Sequence, residues 1–202
     1  MGGIFLGFLC AAILLLGLGR LRASQPPGGA LGLACWALIA LTGVDGLNAF
    51  LFDGNLAHLY APNSALRLLT GLAAGLGVGL MAVPVVASVL WSRPEDEASI
   101  EDPVELLAGL ALAGLVGALV LAGVGVLLWP VAIAMLIGVV VAFGCANLYV
   151  IVLTTRRIRQ AVTLADLRGG LVGSLGLCLL ELAGLAALRS WLIAAFGFTW
   201  GV

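Results

Sequence analysis

Lysine is missing from this 202-residue chain, histidine occurs once and charged residues make up only 9%. Each scarcity closes off a class of function. The formal net charge is −1 and no basic patch has interleaved aromatics, so the electrostatic footprint of a nucleic-acid binder is missing. The phosphate-cradling G-x-x-x-x-G-K is absent, as are G-x-S-x-G and H-E-x-x-H. One histidine removes most hydrolase triads and the metal-dependent membrane proteases. A zinc site needs closely spaced Cys and His ligands. The four cysteines, Cys10, Cys35, Cys145 and Cys178, instead fall singly in apolar segments without C-x-x-C spacing, and read as small buried hydrophobes. No metal or other cofactor is expected.

The N-terminus lacks positive charge from Met1 to Leu9, and the arginines follow the apolar run, the reverse of a signal peptide. Leu9 before Cys10 is not the small residue that lipoprotein cleavage requires. Leu6 occupies the place where an N-myristoylation motif needs Ser or Thr.

The chain is instead 63% hydrophobic, with a mean hydropathy of +1.23. Several apolar runs reach eighteen residues with almost no charge, the length that crosses a bilayer core. They predict an all-α integral membrane protein. It is a six-transmembrane-helix bundle with spans at about 3–19, 30–51, 65–90, 104–128, 131–153 and 169–195, forming one polytopic membrane domain over residues 1–202. The stretch from Val104 to Leu153 is about 75 Å of helix, so it must contain two spans, with a tight turn expected near Trp129-Pro130.

Arginine counts set the orientation. The connections after spans one, three and five carry Arg20, Arg22, Arg93, Arg156, Arg157, Arg159 and Arg168; the other side has Arg67 and Arg189. Seven against two places the first group in the cytoplasm and both termini outside. Trp191 and Trp200 then suit an outer interfacial belt. The acidic run Glu95, Asp96, Glu97, Glu101, Asp102 falls inside. It reads as a solvated loop capping the fourth helix, Asp102-Pro103 being an N-cap followed by proline at the first helical position; a docking site for a basic partner is the alternative. Gly71, Gly75 and Gly79 repeat every fourth residue, as do Gly3 and Gly7, a stripe that lets helix backbones touch. No long internal repeat supports an inverted-repeat transporter.

Polar side chains concentrate between Val44 and Gly71. Asp53-Gly54-Asn55 has turn chemistry and Asn63-Ser64 has N-cap chemistry. His58 reads as an exposed interfacial residue beside Tyr60, with a pH sensor or ligand contact as the alternative. Asp45, Asn48 and Arg67 have no such local explanation. Ionisable groups inside spans are costly in hydrocarbon, and Glu181 and Arg189 are in the sixth. Asp45 paired with Arg67 or Arg189 in a bidentate contact would offset much of that cost. The pair is then a structural clamp, or else one arginine is free in an outward polar cavity for an anionic headgroup or solute. Glu181 lies deeper, where desolvation favours the protonated carboxyl.

The residues V-D-G-L-N-A-F, followed by A-P-N-S-A-L-R-L-L-T-G-L-A-A-G-L-G-V-G, resemble a bacterial and archaeal membrane-protein family, the domain of unknown function 2085. Asp45, Gly46, Asn63, Leu66, Arg67, Thr70, Gly71 and Gly75 match its pattern, and M-G-G-I-F-L-G-F-L-C is similar to its G-I-Y-x-G segment. The resemblance covers roughly Gly3 to Gly79. The family's Cys-His-Gln segment and C-x-R-C-T-G motif are missing here, so the metal or redox site they suggest does not carry over. The family has no established activity; the resemblance implies a fold and a residue set.

The leading reading is a small non-enzymatic membrane protein whose partner is the lipid bilayer. Its polar cluster of Asp45, Asn48, Arg67 and Arg189, with Glu181 and His58 as further candidates, clamps helices and binds a small anionic or lipid group. One alternative is an accessory subunit with membrane-protein partners. The other is a proton-coupled carrier or membrane enzyme using Glu181 and Asp45.

Overall fold

The computed structural model describes residues 2–156 and 158–196. They form six α-helices: α1 (Gly2–Gly17), α2 (Gly29–Asp53), α3 (Ser64–Leu90), α4 (Pro103–Leu121), α5 (Leu128–Thr154) and α6 (Arg168–Phe196). Two short strands, β1 (Ala23–Gln25) and β2 (Glu95–Ala98), pair in parallel. Five helices, α2 to α6, are long and apolar enough to cross a membrane. The sixth, α1, has 16 residues, about 24 Å of helix. Trp200 and Arg157 lie outside the described residues.

The centre of the bundle is α3, which packs against α1, α2, α4 and α5. Its glycine stripe explains why. Gly71 and Gly75 lie against the backbone of Gly3, Ile4 and Phe8, and Gly79 lies against Ala11. In return, Gly3 and Gly7 of α1 lie against Leu68 and Leu72. The pairing advances along both chains together, so α1 and α3 run parallel. A Cβ added at Gly3 would stand 2.6 Å from the Leu68 carbonyl oxygen; at Gly75 it would collide with the Ile4 carbonyl. Gly77 gives α2 the same access, 2.8 Å from the Cys35 carbonyl by the same test. Around these contacts Leu6, Leu15, Leu72, Leu76, Leu80 and Ile100 form the main apolar core. Cys10, Cys35 and Cys178 are buried thiols, and all four cysteines are free.

The α4–α5 turn is not at Trp129-Pro130. Helix α4 stops at Leu121, Gly123 takes a positive φ of 62°, and a single 3-10 turn over Gly125–Leu127 leads into α5. Pro130 sits in the first turn of α5, where its missing N–H has no helical partner to lose, so it opens the helix. The left-handed residue that ends α4 is a glycine, the usual helix terminator.

The connections after α1, α3 and α5 meet at one end of the bundle. The Glu95 and Ser99 amides donate to the Arg22 and Gln25 carbonyls on either side of the β1–β2 pair. Trp91 bridges to Ala161, the Ser92 amide donates to the Ala161 carbonyl, and the Arg159 amide donates to Val89. What read as a solvated acidic loop is therefore partly a strand. Its carboxylates have local work. Asp102 accepts from the Val104 amide at 2.9 Å and closes a capping box with Glu105. Glu105 also pairs with Arg20 at 2.7 Å.

Pro84 interrupts α3 and cannot donate to the Leu80 carbonyl one turn back. The fully buried Ser99 hydroxyl donates to that oxygen at 2.8 Å.

Gly75→Ala is expected to destabilise the protein by about 2 kcal/mol or more through backbone collision, whereas Gly176→Ala, with nothing within 4 Å of the added methyl, should be neutral or stabilising. Thermal unfolding of both variants in detergent checks the contrast; equal melting of the two would refute the close approach.

Candidate functional site

The polar stretch folds as a pin between α2 and α3. Asp45 and Asn48 are three residues apart, hence on one helix face, and both are almost fully buried at 4% and 3% exposure. Helix α2 ends at Asp53, and Asn55 takes a positive φ of 53°, turning the chain back along the helix. The returning loop meets Asn48. Its Oδ1 accepts from the Leu59 and Tyr60 amides at 2.7 and 3.3 Å, and its Nδ2 donates to the Tyr60 carbonyl at 2.9 Å. Asn63 then caps α3 by accepting from the Ala65 amide at 2.8 Å.

Asp45 has two partners. Its Oδ1 accepts from the Tyr60 hydroxyl at 2.7 Å, and its Oδ2 lies 3.9 Å from Arg67 Nε. One turn further into the bundle, the Thr42 hydroxyl donates to the Thr70 carbonyl at 2.6 Å. The expected Asp45–Arg67 pairing is thus present, but as one long contact rather than a bidentate fork. With the Arg67 side chain 51% exposed, the ion pair contributes no more than about 1 kcal/mol. The short bond is the one from Tyr60. It raises the Tyr60 phenol above its ordinary pKa, with desolvation and the Asp45 charge acting the same way and Arg67 opposing. Folding therefore favours the neutral phenol, and this contribution is lost as pH rises through the raised pKa.

Tyr60 thus holds one oxygen of Asp45 directly, and Arg67 lies at longer range from the other. Arg67 spends only its Nε side on Asp45. Arg67 also lines a cleft of about 380 Å³ between the ends of four helices, with Gly2, Gly3, Leu6, Ser64, Leu121 and Met135 among the walls.

The remaining candidates do not join this cluster. His58 is exposed; its Nδ1 lies 3.0 Å from the Leu56 carbonyl and its ring packs edge-on against Phe52 at 4.9 Å. Arg189 is exposed on α6, whose helix neighbour is α5 rather than α2, and among the described residues it makes no ion pair. It therefore cannot be the partner of Asp45. Glu181 belongs to a second polar contact, its Oε2 accepting from Asn147 Nδ2 at 2.9 Å across the α5–α6 interface. Asn147 is 5% exposed. The rule that marks Asn48, a lone amide in an apolar span, applies equally to Asn147. Tyr60 gave no signal of its own, since its partner is fifteen residues away and reached only through the loop's reversal.

No family model, curated protein or solved structure matches this chain. Among the described residues no group of three His, Cys, Asp or Glu side chains is placed to hold a metal ion.

Asn48→Ala is expected to cost about 2 kcal/mol, because it removes three hydrogen bonds that are partly shielded from water. Hydrogen exchange at the Leu59 and Tyr60 amides should accelerate, while Asn48→Asp, which keeps the acceptor oxygen, should slow it again. Unchanged exchange in Asn48→Ala would show that the loop is held by something else.

Proposed function

We propose that this is a small non-enzymatic membrane protein whose α2–α3 pin presents Arg67 to one anionic group, the phosphate or carboxylate of a lipid headgroup or small solute. The observation that carries the reading is the half-exposed Arg67 side chain, on a residue that lines the Gly2–Met135 cleft and is tied to Asp45 by a single 3.9 Å contact. A guanidinium with free N–H groups recognises a phosphate or carboxylate through parallel bonds. The apolar cleft walls suit the start of an acyl chain.

The reading includes six spans, with α1 crossing as the innermost and shortest, and both termini on the outer side with Arg67. The arginine-rich connections then face the cytoplasm. It also includes kinship with the domain of unknown function 2085, whose pattern takes in Asp45, Asn63, Arg67 and Thr70. A second reading, an accessory subunit, is favoured by α6, which leaves Val172, Leu179, Leu180 and Leu185 exposed on a helix packed against α5.

Native mass spectrometry of protein purified in mild detergent tests the leading reading. Wild type should retain more anionic lipid than Arg67→Ala, with Arg67→Lys between the two and a zwitterionic lipid unaffected throughout. Equal anionic-lipid retention by wild type and Arg67→Ala would overturn it. The orientation has its own check. In intact cells a membrane-impermeant maleimide should label Ala57→Cys, and should label Glu97→Cys only after permeabilisation; the reverse pattern would invert the topology.

A further inference from the structure

The end opposite Arg67 holds a second cationic feature. Arg22 from the α1–α2 connection, Trp91, Ser92 and Arg93 from the end of α3, and Ala161 and Val162 from the α5–α6 connection line one cavity of about 590 Å³. Arg22 is fixed on two sides: its Nη2 donates to the Val162 carbonyl at 3.2 Å, and its guanidinium lies 4.5 Å above the Trp91 ring. That fixing lowers the ordering cost of a further contact. Arg93 lines the same cavity and, among the described residues, makes no ion pair.

Most neighbouring carboxylates are already engaged. Glu101 and Glu105 pair with Arg20, and Asp102 caps α4. Asp96 accepts from Gln25, and Asp166 accepts from the Val162 and Thr163 amides. Glu95 and Glu97 are exposed and do not line the cavity. Two arginines, one with its guanidinium pre-oriented, therefore line a cavity to which, among the described residues, no carboxylate contributes.

We propose that this cavity is a phosphate-binding site, with Arg22 and Arg93 gripping the phosphate oxygens and the Trp91 ring holding Arg22 in place. The site is distinct from the Arg67 cleft and stands whether or not that cleft binds an anion. Its position at the helix ends suits a lipid phosphomonoester; the same chemistry would take a soluble phosphate.

Isothermal titration of the full-length protein in detergent, with dioctanoyl phosphatidic acid and separately with inorganic phosphate, tests the proposal. Titrated into Arg67→Ala, which removes the other anion site proposed above, the lipid should bind, and adding Arg22→Gln or Arg93→Gln should each weaken it by about tenfold or more, since one charge-assisted hydrogen bond is lost. Binding of both probes, with phosphate displacing the lipid, assigns a soluble phosphate; binding of the lipid alone assigns the headgroup. Should Arg22→Gln lower the melting temperature, Arg93→Gln carries the test, because Arg93 makes no ion pair among the described residues. Failure of both probes to bind, equal binding of dioctanoyl phosphatidylcholine, or undiminished affinity on adding Arg93→Gln would overturn the site.

Discussion

Backbone contact between α1 and α3 is the constraint on which the other packing rests. In a lipid solvent the hydrophobic effect does not draw helices together, so close van der Waals approach and satisfied polar groups must do so. Gly3 and Gly7 on one helix and Gly71, Gly75 and Gly79 on the other remove the side chains that would keep the axes apart. The shortest helix is thereby seated against the bundle's central one. Gly77 admits α2 on another face, and Gly109 and Gly117 admit leucines of α3 against α4. The glycines of the α1–α3 stripe are thereby spent on assembly.

The two ends of the bundle solve the same problem differently. At the α2–α3 end, one amide and one carboxylate hold a reversing loop, and the guanidinium beside them stays half exposed. At the other end three connections are tied by strand-like hydrogen bonds, and acidic side chains are used on caps and on Arg20.

Much of this was legible from sequence because it depends on local chemistry. The glycine stripe, the Asn63 and Asp102 caps and the Asp53-Gly54-Asn55 turn follow from residue type and spacing alone. The proximity of Asp45 and Arg67 follows from two adjacent helices joined by a short loop. What was not legible depends on which helices become neighbours. Arg189 stood beside Arg67 as an alternative partner for Asp45, yet α6 packs on α5, and sequence position alone does not show that adjacency. Asn147 and Glu181 were both visible, but nothing local joins residues 34 apart. The α4–α5 turn was misplaced because proline was read as a break, when in a first turn it starts a helix.

The hydroxyl of Ser99 has a bearing on how the chain enters the bilayer. Helix α3 emerges with the Leu80 carbonyl lacking its helical donor because Pro84 occupies the position one turn later. Its eventual partner lies 19 residues further along, beyond the end of the helix. Until that segment has been synthesised and folded back, α3 carries an unanswered carbonyl, a state that hydrocarbon penalises and water or a protein conduit tolerates. The segment that follows β2 thus supplies, through Ser99, the donor that Pro84 withholds from α3.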